Sequence, residues 1–116
     1  MVEHCSFIKE IDDVRKIKTK ILDNFELASL PSTSEDQLSE LLTFAVVGGG
    51  PTGVEFAGEL TDFISDELKI LYPHLAKYIR IVLVNSGASI LNAFDSALQV
   101  DHACSQYTFS LGNTLL

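Results

Sequence analysis

The chain has 116 residues, 47% of them hydrophobic and 21% charged, with a formal charge of −8, which bounds it to one soluble globular domain at most. So acidic a chain has no basic patch able to neutralise a run of phosphates, and it disfavours both nucleic acid and tight anchoring on an anionic membrane. No stretch of about 20 apolar residues could span a bilayer, and Met1-Val2-Glu3-His4 starts neither a signal peptide nor an Arg-rich transit peptide.

Residues 1–42 read as a helical lead-in. Ile11, Val14, Ile17, Ile21 and Phe25 recur at helical spacing, and Arg15, Lys16, Lys18 and Lys20 supply four of the eight basic residues. Such a helix could lie on a membrane, but a helix packed on the domain with its lysines as a solvated face is the better reading. Leu30-Pro31-Ser32-Thr33 breaks it. Ser34 and Gln37 then predict a capping box for a short helix through Leu42.

The run Leu42 to Val47 is apolar and β-branched at its end, as expected of a strand buried on both faces of a parallel sheet. Gly48-Gly49-Gly50-Pro51-Thr52-Gly53 follows at once and satisfies G-x-G-x-x-G. Beyond it, Val54, Ala57, Leu60, Phe63 or Ile64, Leu68 and Leu71 fall three or four apart, with Glu55, Glu59, Asp62, Asp66 and Glu67 largely between them, which predicts an amphipathic helix. After a break at Tyr72-Pro73, Ile79 to Val84 reads as a second strand, ending at Asn85-Ser86-Gly87. Strand, helix and strand in this order predict a parallel crossover. The fold class is therefore α/β, a partial Rossmann-like dinucleotide-binding domain over 43–98 with parallel strands, preceded by helices. Residues 99–116 form a divergent, irregular tail.

Each part of the glycine segment answers a demand of dinucleotide binding. Gly48 permits a sharp exit from the strand, Gly50 lets backbone approach a pyrophosphate, and Gly53 lets helix and strand pack closely. The start of the helix then faces the phosphates with unpaired N–H groups and a positive dipole end, and Pro51 suits its first turn. At the tip of the second strand an Asp or Glu normally meets the adenosine ribose, and the corresponding residue is Asn85. A neutral amide there removes the repulsion that a carboxylate exerts on the extra phosphate of NADPH. Asn85 is alternatively a turn residue that ends the strand, so NADH and NADPH both stand as cofactors.

The stretch Leu42 to Leu60, LTFAVVGGGPTGVEFAGEL, resembles the pyridine-nucleotide-binding region of the type II NAD(P)H dehydrogenases, the single-chain mitochondrial alternative NAD(P)H:ubiquinone oxidoreductases. His4 to Glu10 with Asp13-Val14-Arg15, and Ser89 to Asp95, are similar to the flanking family segments, so the resemblance covers roughly residues 4 to 98. It implies that hydride passes from NAD(P)H to FAD and that electrons pass on to a quinone, without proton pumping. Gly48, Gly49, Gly50, Pro51, Thr52 and Gly53 would hold the pyrophosphate, Asn85 would meet the ribose, and Glu55 would sit near the nicotinamide and the flavin as the catalytic residue. Glu55 also has a purely structural reading, as an acidic first-turn residue complementing the helix dipole. The resemblance implies a mitochondrial enzyme, peripheral at the inner membrane; without a targeting segment, this chain alone is expected in the cytosol.

Only one glycine fingerprint is present, so FAD is not expected to bind to this chain alone, and without flavin the hydride has no acceptor. The chain reads as a fragment or truncated product, inactive by itself. Its tail, QVDHACSQYTFSLGNTLL, departs from the family pattern; it reads either as an altered end or as a divergent strand over Ser105 to Leu111. Other readings are a piece of a different two-dinucleotide flavoprotein such as a disulfide reductase, or a non-catalytic chain associating through exposed sheet edges. Cys5 and Cys104 form no C-x-x-C, and His4, His74 and His102 lie apart, so no redox dithiol and no metal site is expected.

Overall fold

The computed structural model of the chain describes residues 5–85, 105–110 and 114–115. Helix α1 (Ile11–Ala28) starts where the Asp13 carboxylate accepts the backbone N–H groups of Lys9 at 3.1 Å and Glu10 at 3.0 Å. Those bonds, Glu10 foremost, hold the Asp13 carboxyl below its ordinary range, because an accepted N–H favours the charged form. The helix buries Ile21, Phe25 and Ala28. Ile11 and Val14 share that stripe by spacing yet are exposed, since the core partners of α1 begin only at Ile17.

Ser34 opens α2 (Glu35–Leu41) with the expected reciprocal box: Gln37 N–H donates to Ser34 Oγ at 3.3 Å, and Ser34 N–H to Gln37 Oε1 at 2.9 Å. Asn24 Nδ2 donates to the Leu41 carbonyl at 3.0 Å, tying α1 to the end of α2. Leu42, fully buried, then leads into β1 (Thr43–Val47).

The helix after the glycine turn is not continuous to Leu71. It runs as α3 (Pro51–Phe63), a single π-helical turn over Ile64–Leu68, and a short α4 (Lys69–Leu71) before the 3-10 turn Pro73–Tyr78. A π turn holds one extra residue, so every later side chain is set back by about one position. The apolar stripe therefore passes from Ala57 and Leu60 to Ile64 and Leu68 and next to Tyr72, whose ring packs 5.6 Å from that of Phe25. Leu71, expected on the stripe, is 69% exposed. Of the two residues open at Phe63 and Ile64, Ile64 is the one fully buried.

The second strand, β2 (Arg80–Asn85), pairs parallel with β1 from Thr43 opposite Arg80 to Val47 opposite Val84. Beyond it, β3 (Ser105–Ser110) pairs antiparallel with β2, and β4 (Thr114–Leu115) antiparallel with β3, giving the order β1-β2-β3-β4. The irregular tail is thus corrected to a strand over 105–110, within the range of the alternative reading. Its Tyr-Thr-Phe run is strand-forming, and the free side of β2 presents backbone groups that need partners. The flanking segment Ser89 to Asp95, together with His4, His102 and Cys104, lies outside the described residues.

One face of the sheet carries Phe44, Val46, Ile81 and Leu83 and turns toward the helices, where the Phe25 and Phe44 rings stack at 6.3 Å. The lead-in helix and the β-α-β unit share this core, which joins Ile21 and Phe25 to Leu60, Ile64, Leu68, Leu75 and Ile81. The opposite face of β1 is open: Thr43, Ala45 and Val47 alternate as exposed residues, with Val47 79% exposed. The expectation of a strand buried on both faces is corrected here, because the helices among the described residues pack on the face that carries Phe44, Val46 and Ile81.

Candidate dinucleotide site

The glycine turn leaves β1 at its C-terminal end. Gly48 donates its N–H to the Val84 carbonyl at 2.9 Å, prolonging the parallel ladder, and turns with φ +121°, where glycine is strongly favoured. Gly49 is buried, and its N–H donates to Asn85 Oδ1 at 3.3 Å. Gly50 caps α3 with extended backbone, and Pro51 occupies the first helical turn as expected. A Cβ on Gly53 would be driven into the Gly48 carbonyl oxygen, so glycine there is what lets helix and turn approach. A Cβ on Gly50 would meet no protein atom within 4 Å. The space over Gly50 is open.

With glycine at the cap, no cap side chain bonds the N–H groups that begin α3. Those groups have no intrahelical acceptor, and they add to the positive end of the helix dipole. The turn also lies at the carboxyl ends of parallel strands, where open α/β sheets bind ligands. The open space over Gly50 and the donors at the start of α3 have the chemistry that a pyrophosphate requires.

Asn85 ends β2 half-buried, and a Cβ on Gly49 would lie 2.5 Å from its Cγ. The register that sets Val47 opposite Val84 brings Gly48 and Gly49 beside Asn85. Sequence reasoning placed Asn85 at the strand tip but missed its bond to the turn, which joins residues 36 apart in the chain; parallel register, once known, is the signal that finds it. The structure thus brings Gly48, Gly49, Gly50, Pro51, Thr52, Gly53 and Asn85 together. Glu55 is exposed and follows the first turn of α3, which holds no acidic residue, so the structural reading of Glu55 as a first-turn dipole partner is corrected. The dipole effect fades within that turn. Among the described residues, no three His, Cys, Asp or Glu side chains gather as a metal ion would require.

A parallel β-α-β unit with a glycine turn at the helix N-terminus and a polar residue at the second strand tip defines the dinucleotide-binding class of α/β proteins. The comparisons narrow this class to one family. The chain is 45% identical over 98 residues to the mitochondrial external alternative NAD(P)H-ubiquinone oxidoreductase B1 of Arabidopsis thaliana, covering 84% of this chain and 17% of that protein. It is 43% identical over 108 residues to the mitochondrial internal alternative NAD(P)H-ubiquinone oxidoreductase A1 of Solanum tuberosum, covering 93% of this chain and 21% of that one. Among solved structures, NDH2 from Plasmodium falciparum in complex with NADH matches with a TM-score of 0.76 at 41% identity, over 82% of this chain and 19% of its own. No family model matches. The chain is homologous to a segment of the type II alternative NAD(P)H dehydrogenases, and it spans about a fifth of the length of these relatives.

Proposed function

We propose that the chain forms the NAD(P)H-binding portion of a flavin-dependent oxidoreductase that passes a hydride from NAD(P)H to FAD and electrons to ubiquinone. The observation that carries this reading is the 48–53 turn, open over Gly50 and closed by Asn85, in a chain 41% identical to part of an NDH2 whose structure contains NADH. In this reading the backbone of Gly48, Gly49, Gly50, Pro51, Thr52 and Gly53 cradles the pyrophosphate, and Asn85 faces the adenosine ribose. The open helix start favours the phosphate charge. Glu55, one turn further along α3, is assigned to the nicotinamide end as the catalytic residue. A bound reduced nicotinamide supplies the hydride, and the residues here hold and orient it. FAD and quinone are assigned to parts of such an enzyme that the matched segment does not cover. The assembled enzyme is proposed to be mitochondrial, as its relatives are named, and peripheral on the inner membrane; among the described residues no helix is long and apolar enough to cross one.

The single glycine fingerprint in the sequence favours a second statement: alone, this chain has no turnover, because the hydride has no flavin to receive it. A titration of NADH and NADPH against the chain, followed by nicotinamide fluorescence, tests binding. Gly50→Val should abolish it with little change in the thermal melt, because a Cβ at this position meets no protein atom within 4 Å. An affinity unchanged by Gly50→Val would refute the assigned turn. Quinone reduction by the chain with added FAD is expected to be absent, and measurable turnover would contradict the second statement.

A further inference from the structure

We propose that Asn85 is a positioning residue for the pyrophosphate, acting through the backbone of Gly49 to hold a run of three glycines in one conformation. The inference deepens the nucleotide reading of the turn and rests on it, but it does not require Asn85 to touch the ribose.

The fingerprint asks for glycine at 48, 50 and 53 and leaves position 49 open. That position is glycine as well, so the turn carries Gly48-Gly49-Gly50 in succession. Successive glycines give the freest backbone a chain can have, and fixing them loses more conformational entropy than fixing other residues. A loose turn would lose that entropy each time the phosphates bind, whereas a turn already fixed would not. The second strand supplies the fixing. Gly48 N–H donates to the Val84 carbonyl at 2.9 Å, and Gly49 N–H donates to Asn85 Oδ1 at 3.3 Å. Two successive residues of β2 thus clamp two successive residues of the turn, and the third glycine, Gly50, follows directly as the cap of α3. The Val84 bond is backbone to backbone and independent of side-chain identity. The bond to Gly49 exists only because residue 85 carries an acceptor.

The same contact explains why position 49 is glycine. A Cβ there would lie 2.5 Å from Asn85 Cγ and 2.8 Å from Nδ2, so the Asn85 amide occupies the space that a side chain at 49 would need. At Gly50 the equivalent space is open. Gly49 therefore answers to Asn85, and Gly50 to the ligand.

Inorganic pyrophosphate is the discriminating probe, because it has no ribose. Its affinity for the nitrogen-15-labelled chain is read from the amide shifts of Gly50, Thr52 and Gly53, beside a titration with NADH. Asn85→Ala should weaken pyrophosphate by about fivefold or more, as the glycines must then be ordered at each binding event. Gly49→Ala should weaken it too, by displacing the Asn85 amide, and should add little in the Asn85→Ala background, since residues that share one contact are not additive. Ser34→Ala removes the cap of α2; it should lower the melting temperature and leave both affinities unchanged, which separates positioning from a general loss of stability. Weakening of NADH but not of pyrophosphate by Asn85→Ala would overturn the proposal, because the residue would then act on the ribose alone. Equal effects of Gly49→Ala in the two backgrounds would overturn it as well. Should Asn85→Ala fail to fold, Gly49→Ala carries the test by itself, and an unchanged pyrophosphate affinity would sink the idea. If neither probe moves the glycine amides of the native chain, the nucleotide reading itself fails, and this inference with it.

Discussion

Gly53 and Gly50 belong to the same motif but should respond oppositely to a methyl group. Gly53→Ala pushes a carbon into the Gly48 carbonyl oxygen, and overpacking of this kind costs about 1–3 kcal/mol; urea unfolding should show a lowered midpoint with an unchanged slope. Gly50→Ala should leave that midpoint where it is, since nothing lies within 4 Å. Asn85 sits between fold and function. Replacing it with leucine removes the acceptor of the Gly49 N–H, and a stranded buried donor costs about 1–3 kcal/mol. Asn85→Glu keeps an acceptor and adds charge, so the ratio of NADPH to NADH affinity should fall; an unchanged ratio would show that Asn85 does not face the ribose. The glycines were legible in the sequence because each demand on them is local to the strand, turn and helix. The Asn85 bond was not, because it depends on register between strands.

At the level of elements, the start of α1 is the part whose stability should follow pH. The Asp13 carboxyl is held down by the Glu10 and Lys9 N–H groups, so its folded value lies below the ~3.9 of an unfolded aspartate. Its contribution is complete above that value and disappears as pH falls through the folded one. Amide signals of the first turn should therefore fray below pH ~4, and Asp13→Asn should remove that acid step. Phe25 is the anchor that joins α1 to the sheet, fully buried between Phe44 and Tyr72. Phe25→Ala should cost about 3–5 kcal/mol, enough in so small a core to abolish cooperative thermal unfolding. The Ser34–Gln37 box and the break before Pro73 were readable from sequence because neighbouring residues encode them. The π turn was not: Ile64 and Leu68 suit an ordinary helix equally well, and only packing of Tyr72 against Phe25 shows where the extra residue falls. The open face of β1 escaped for a related reason, since an apolar run does not reveal how many layers cover it.

For the molecule as a whole, the described helices pack on one face of the sheet, and the glycine turn sits at the carboxyl ends of its parallel strands. The turn is built by local contacts within the β-α-β unit, so weak nucleotide binding should survive in the chain by itself, whereas catalysis should not. The steric demands of the turn made only the dinucleotide-binding fold legible; the family was legible because the whole run GGGPTGVEFAGEL resembles that of the type II dehydrogenases. The strand at 105–110 was visible only as an alternative, because Ser105 to Ser110 carries strand-forming residues but no turn signal that names its partner. The most direct measurement is the set of amide shifts in the nitrogen-15-labelled chain as NADH is added, a readout that detects even millimolar binding. Shifts concentrated at Gly48, Gly49, Gly50, Thr52, Gly53 and Asn85, and absent in Gly50→Val, are the result this account predicts. Shifts confined to α1, or none at saturating NADH, would contradict it.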